Sequence, residues 1–258
     1  MTRKIILGPT SYCELSSNPI DFLKKNGFEV IKNPYGRKLT KKELLSLLDD
    51  EVEGIIAGLE IIDKEIVDSS KIRVVSRVGS GTDNLDLEYL KQKSIEVYTT
   101  PEAPVQAVAE ITLGSLLALL RKINNMDSDL RSGIWKKKIG YELKSKTIFI
   151  IGFGRIGQRF AKLLNAFDCN ILFHDPYINL DNIDVSKFKH VKFEDGIRQA
   201  DIISLHVNGT EEIIKKEHFN LMKKGVFILN PARGELINEK ILKTYLDNGT
   251  VDGAWLDT

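Results

Sequence analysis

Apolar residues fall in short runs along the first hundred positions, separated by polar stretches that carry leucine or isoleucine at helical spacing. The runs at 4–7, 28–31, 52–57, 74–78 and 95–98 are β-rich and read as strands. The segments at 19–26, 40–48, 63–68 and 85–92 read as helices. The first is closed by Gly27 at the C′ position. The second opens on Thr40 with Glu43 three residues later, the pattern of a capping box. Strand and helix in alternation predict a doubly wound parallel sheet. A second unit follows the Thr-Thr-Pro step at 99–101, so domains are expected at 1–99 and 100–258. It opens with a long, largely apolar helix over 105–122 and a polar stretch around 133–140. Strands at 147–151, 170–174, 201–205, 226–229 and 251–256 then alternate with helices at 155–167, 215–222 and 238–246. The fold class is α/β, with two doubly wound parallel-sheet domains.

The second unit carries the most specific local signal. The apolar run 147–151 leads into Gly152, Gly154 and Gly157, a GxGxxG motif that opens the next helix. The first glycine permits a tight turn, the second lets the backbone approach a pyrophosphate, and the third lets helix and strand pack closely. The helix offers unpaired N–H groups and the positive end of its dipole to phosphates. The next strand ends at Asp175, 21 residues after Gly154, at the offset of a carboxylate that binds a ribose 2′-OH. Strand, turn, helix, strand and acid together predict a dinucleotide site. A carboxylate there favours NAD and repels the 2′-phosphate of NADP.

Composition narrows the classes. Net charge is +1, so no strong field draws nucleic acid or an anionic membrane. The longest strongly apolar run, 111–120, is too short to span a bilayer. The two cysteines, Cys13 and Cys169, match no metal or redox spacing, and no signal-peptide pattern precedes the first strand. The expectation is a cytoplasmic protein without metal, membrane or nucleic-acid partner.

Three further stretches lie where strands end, the edge at which open α/β sheets bind ligands. After the fourth strand comes Arg77-Val-Gly-Ser-Gly-Thr-Asp-Asn84, where Gly79 and Gly81 expose backbone N–H groups that suit an anion. Ser204-Leu-His-Val207 ends a strand of the second unit. Asn230-Pro-Ala-Arg-Gly-Glu235 follows another, and the planar fork of an arginine suits a carboxylate.

With TPEAPVQAVAE, GIW, HDP and GAWLD, these stretches resemble the D-isomer-specific 2-hydroxyacid dehydrogenases, and most of all their D-3-phosphoglycerate dehydrogenase branch. The resemblance covers nearly the whole chain. It implies a flavodoxin-like substrate domain, an NAD-binding Rossmann domain and a homodimer. The implied activity is NAD-dependent interconversion of a small D-2-hydroxy acid and its 2-keto acid, 3-phosphoglycerate first, and with it a place in serine biosynthesis. By resemblance, Arg233 is the catalytic arginine that holds the substrate's carboxylate and carbonyl. Backbone N–H groups of Ser80 and Gly81 hold the same carboxylate, and Arg77 meets a substrate phosphate. Arg155 and Ile156 sit on the pyrophosphate with the three glycines, and Asp175 sits on the adenine ribose. His206, Val207, Pro231, Ala232 and Asp257 line the ribose and nicotinamide.

The chain departs from the family pattern at Pro104, at Asn208-Gly209 and at Glu235. The family's catalytic Glu and Pro-His step follow the position of Asp257, beyond the 258 residues here. The expectation is a C-terminally truncated chain that binds NAD and turns over slowly, because arginine has no lone pair to take the hydroxyl proton. His206 is the remaining candidate base. The rival expectation is a non-catalytic NAD-binding sensor or partner-binding module, or a fragment of the enzyme that lacks the catalytic Glu and His. A methyltransferase also uses a glycine turn and an acid, but the ARG and LHV steps argue against it.

Overall fold

The computed structural model describes residues 3–184 and 186–257. Contacts divide the chain into two compact units, Met1–Pro104 and Val105–Thr258.

The first unit runs β1 (Arg3–Leu7), α1 (Asn18–Lys25), β2 (Phe28–Lys32), α2 (Lys41–Leu47), β3 (Val52–Ala57), α3 (Lys64–Asp68), β4 (Val74–Arg77), α4 (Leu87–Gln92) and β5 (Glu96–Thr99). All strand pairs are parallel, in the order β2-β1-β3-β4-β5. This is the flavodoxin-like order, whose chain direction reverses between β1 and β3. Side-chain caps fix the helix starts. Glu43 N donates to Thr40 Oγ1 at 3.3 Å and Thr40 N to Glu43 Oε2 at 2.8 Å, closing the capping box. Asp63 and Asp86 accept from the N3 amides of α3 and α4. Gly27 ends α1 with φ +82°, where a side chain would be strained. Ile6, Leu44, Ile55, Ile66, Val75 and Leu90 fill the core between sheet and helices.

The first compact unit closes at Pro104. The cause is Thr100: its N–H donates to Gly79 O at 3.0 Å and its Oγ1 accepts from Gly79 N at 2.9 Å. Ala103 N then donates to Thr100 O, so the segment after β5 stays with the first unit.

The second unit runs α5 (Val105–Leu120), α6 (Ile123–Arg131), β6 (Thr147–Ile151), α7 (Arg155–Leu164), β7 (Asn170–His174), β8 (Lys189–His190), α8 (Phe193–Gln199), β9 (Ile202–Leu205), α9 (Lys216–Phe219), β10 (Val226–Asn230), α10 (Glu239–Asp247) and β11 (Val251–Leu256). Its sheet is parallel throughout, in the order β11-β10-β9-β6-β7-β8. Numbered from β6, this is the Rossmann order, with its switch point between β6 and β9. Strand β6 is buried on both faces: Ile148 and Ile150 enter one core, Phe149 and Ile151 the other. Burying each such side chain contributes about 1.5–3 kcal/mol relative to leaving it exposed. Helix α7 turns Gly157, Phe160, Ala161 and Leu164 inward at helical spacing, and α5 packs against it.

Five elements differ from the sequence reading. The long helix stops at Leu120, because Lys122 takes a left-handed conformation at φ 54° before α6 begins. α6 occupies 123–131, between the expected long helix and the polar stretch around 133–140, where the sequence reading gives no element. α8 and the two-residue β8 were not anticipated, and α9 is one turn. Among the described residues no helix is long and apolar enough to cross a membrane.

Candidate functional site

The switch point of the second sheet places the ends of β6 and β9 side by side, so the glycine turn and the 206–209 segment face a common crevice. The three glycines differ in what demands them. Gly152 has φ +86°, and a Cβ there would lie 2.6 Å from His206 O. A Cβ on Gly157 would collide with the Gly152 carbonyl oxygen. Both are required by the fold itself. Gly154 is extended, with φ −71° and ψ −161°, and a Cβ there would meet nothing within 4 Å. Nothing in the protein excludes a side chain at Gly154; the open space it leaves lies at the N-cap of α7. That helix has no side-chain cap and no acid in its first turn. The donors at its start are available to an anion. Arg155 there is exposed and Ile156 half-buried.

Asp175 closes one side of this turn. Its Oδ2 accepts from Phe153 N at 2.8 Å and its Oδ1 from Tyr177 N at 2.9 Å. Gln158 Nε2 donates to Phe153 O at 2.9 Å and braces the same loop. Each carboxylate oxygen retains a lone pair that a ribose hydroxyl can use. Beside it opens a cavity of about 720 Å³, lined by Gly152, Gly154, His174, Asp175, Phe193 and Val207 among others. That volume suits a nucleotide-sized ligand.

His206 borders the cavity but is not a base. Its ring packs on Phe160 at 5.3 Å, Nε2 pairs with Ser204 Oγ at 2.8 Å, and Nδ1 is buried without a hydrogen-bond partner. Burial pushes its imidazole from the ordinary 6.5 down to about 3. It stays neutral at ordinary pH, and its carbonyl, not its ring, faces the glycine turn.

The glycine turn, the acid and the crevice are therefore assembled as a dinucleotide site. Residues 113–258 match the family model described as D-isomer specific 2-hydroxyacid dehydrogenase, NAD binding domain. The chain belongs to the D-isomer-specific 2-hydroxyacid dehydrogenases. Its second unit is the family's NAD-binding domain. A D-3-phosphoglycerate dehydrogenase from Methanocaldococcus jannaschii is 40% identical over 85% of this chain and 43% of its own length. The chain thus spans less than half of that relative. A hydroxypyruvate reductase from Thermotoga maritima is 36% identical over 85% of this chain and 72% of its own. Among solved structures, an acyclic imino acid reductase in complex with NADPH and D-Arg shares 30% identity. It has a TM-score of 0.83 and covers 98% of this chain and 82% of its own.

The stretch around Arg233 follows the end of β10, and Asn230 shapes it. Asn230 is 1% exposed; its Nδ2 donates to Arg233 O at 2.6 Å and its Oδ1 accepts from Ala232 N at 3.1 Å. The side chain spans the turn, so Pro231, Ala232 and Arg233 are held half-buried at the carboxyl edge of the sheet. Arg233 Nη1 donates to Ala232 O at 2.9 Å. Asp257 is exposed beyond β11, with its N–H on Asn230 O at 3.0 Å. Val207 lines the cavity next to Gly152. Asn230 was quoted in the sequence reading without a role. Its signal was a polar residue closing an otherwise apolar, fully buried strand, VFILN.

In the first unit, Gly79, at φ +118°, turns the chain after β4, and Ser80 and Gly81 follow, exposed and half-buried. Arg77 lies beneath this loop. It is 8% exposed, and its Nη1 would sit 2.9 Å from a Cβ on Gly79. The guanidinium packs against the backbone of the loop. Among the described residues no three His, Cys, Asp or Glu side chains gather as a metal site.

Proposed function

We propose that this chain interconverts a small D-2-hydroxy acid and its 2-keto acid with NAD, and that 3-phosphoglycerate is its substrate. The observation that carries the reading is Arg233, whose backbone turn is held by buried Asn230 and whose Nη1 donates to Ala232 O, at the edge of the sheet that holds the dinucleotide turn. Its fork suits the carboxylate and carbonyl of a 2-keto acid. Bound NAD supplies the hydride acceptor. The chain's own part is to seat the pyrophosphate on the start of α7, to hold the adenine ribose on Asp175, and to orient the acid with Arg233. In the first unit by itself, the backbone amides of Ser80 and Gly81 form an anion-binding loop after β4. Arg77 supports their loop from beneath. Pro231, Ala232, Val207 and Asp257 line the nicotinamide end. Asp175 favours NAD over NADP, because a 2′-phosphate would bring like charge against the carboxylate.

None of the histidines is offered as the proton acceptor. His206 is buried and neutral, while His174 and His218 meet Phe193 edge-on and His190 stacks on His174. The substrate assignment rests on similarity to the phosphoglycerate enzyme, and relatives named for hydroxypyruvate and glyoxylate define the acids to compare. We place the protein in a reducing, cytoplasmic setting, supported by its two free thiols, Cys13 and Cys169. We further propose a homodimer formed by the second unit, supported by the exposed Leu130, Ile134, Trp135 and Ile139.

The test is binding of 2-keto acids to the NADH-loaded protein, read by NADH fluorescence, with turnover followed in the same samples. Phosphohydroxypyruvate should bind tighter than hydroxypyruvate or glyoxylate. Arg233→Ala should weaken all three by about tenfold to a hundredfold, the loss of about 1.5–3 kcal/mol from hydrogen bonds to a charged group. NADH binding without affinity for any of these acids would contradict the proposal.

A further inference from the structure

We infer that His174 reads the adenine base of the dinucleotide and sets a preference for adenine over hypoxanthine. The inference rests on NAD occupying the cavity beside Asp175. His174 is the last residue of β7 and immediately precedes that carboxylate. It lines the cavity together with Phe193, Pro176, Thr210, Glu211 and Ile213. With the ribose held by Asp175, the base lies among these side chains.

The ring of His174 is fixed in place. Its plane is within 9° of the His190 ring, with centroids 5.8 Å apart, and Phe193 meets it edge-on at 5.7 Å. Its Nδ1 lies 3.0 Å from Val191 O. A carbonyl oxygen can only accept, so Nδ1 must carry the proton. In the neutral ring this leaves Nε2 as a bare lone pair, an acceptor set in one position by the partner of the other nitrogen. Glu211 contributes only further acceptors to the same wall, while Thr210 can donate or accept. A wall rich in acceptors matches the 6-amino group of adenine, which donates. It mismatches hypoxanthine, whose carbonyl oxygen at that position would face the lone pair of Nε2. A site built around a hydrogen bond rejects an analogue that cannot make it, because the buried group is left unpaired. Phe193 and Ile213 supply apolar contact for either base and do not discriminate.

The experiment titrates NAD and its hypoxanthine analogue into the full chain by calorimetry, for the wild type and for His174→Asn. The asparagine amide keeps a donor where Nδ1 stands and removes the acceptor at Nε2. His174→Phe, which keeps the ring packing, serves as the second variant. The wild type should bind NAD about tenfold tighter than the analogue, and both variants should bring that ratio close to one while the NAD-to-NADP ratio stays unchanged. Equal affinity of the wild type for the two bases, or an undiminished ratio in both variants, would overturn the inference and leave NAD binding intact. Failure of the wild type to bind NAD at all would overturn the NAD site as well.

Discussion

At Gly152 and Gly157 an added methyl group would strike backbone oxygen, whereas at Gly154 it would enter open space. The three alanine variants should therefore separate stability from binding. Gly152→Ala and Gly157→Ala should lower the denaturation midpoint. Gly154→Ala should unfold like the wild type and yet lose NAD affinity at least tenfold, as measured by calorimetry beside denaturant melts. Loss of stability in Gly154→Ala would show that the fold, not the ligand, needs that glycine. Asn230→Ala removes two buried hydrogen bonds across the Arg233 turn and should cost about 1–3 kcal/mol in urea unfolding. An effect below about 0.5 kcal/mol would mean that the turn holds itself. His206 gives a pH dependence. Its pKa is near 3 folded against 6.5 unfolded, so the unfolded chain binds the extra proton as pH falls below 6.5. Stability should decline from pH 6.5 toward 3, and His206→Asn should flatten that slope. Asp201 adds to the fall in the acid range. Desolvation opposes its ionisation, but Thr147 N–H and Lys223 outweigh it and lower its pKa. Most of the site was legible at this scale, because glycines, Asp175 and Arg233 carry their chemistry in their identity and spacing. The parts that were not legible depend on burial. Arg77 lies under its loop, His206 is sealed against Phe160, and Asn230 acts through two backbone groups that no spacing reveals.

Strands and caps followed the pattern closely where one face had to be buried. Runs such as 52–57, 147–151 and 251–256 end where the apolar residues end. Helices were missed where that signal is absent. α6 carries Ile123, Met126 and Leu130 at helical spacing, but none of its residues is buried, and its start is set by the left-handed Lys122. α8 buries only Gly196 and Ile197, and its glycine exists because a Cβ would strike the ring of Phe149. A glycine inside seven residues reads as a turn until its neighbour in space is known. Caps make the element-scale prediction. Thr40→Ala breaks the capping box of α2 and should cost about 1 kcal/mol, while Thr40→Ser should retain most of it. Equal unfolding midpoints for all three proteins would show that packing of Leu44 alone holds the helix.

The whole molecule joins a flavodoxin-like unit to a Rossmann unit; the alternation of strand and helix predicts two doubly wound parallel sheets, and the strand orders are what the family resemblance implies. A hydrogen-bonded pair, Thr100 with Gly79, keeps the Thr-Thr-Pro step with the first compact unit. Association belongs to this scale. Light scattering should give about twice the 29.1 kDa of one chain, and Trp135→Glu with Ile139→Glu should halve it without lowering NAD affinity. A wild-type mass of one chain would remove the homodimer. The central claim is that the second unit is an NAD site whose ribose is held by Asp175. Its most direct test is calorimetric titration of NAD and NADP into the same protein. NAD should bind, and NADP should bind at least about tenfold more weakly, a difference of about 1.4 kcal/mol. Equal affinities would contradict the role of Asp175, and no binding of either nucleotide would contradict the site.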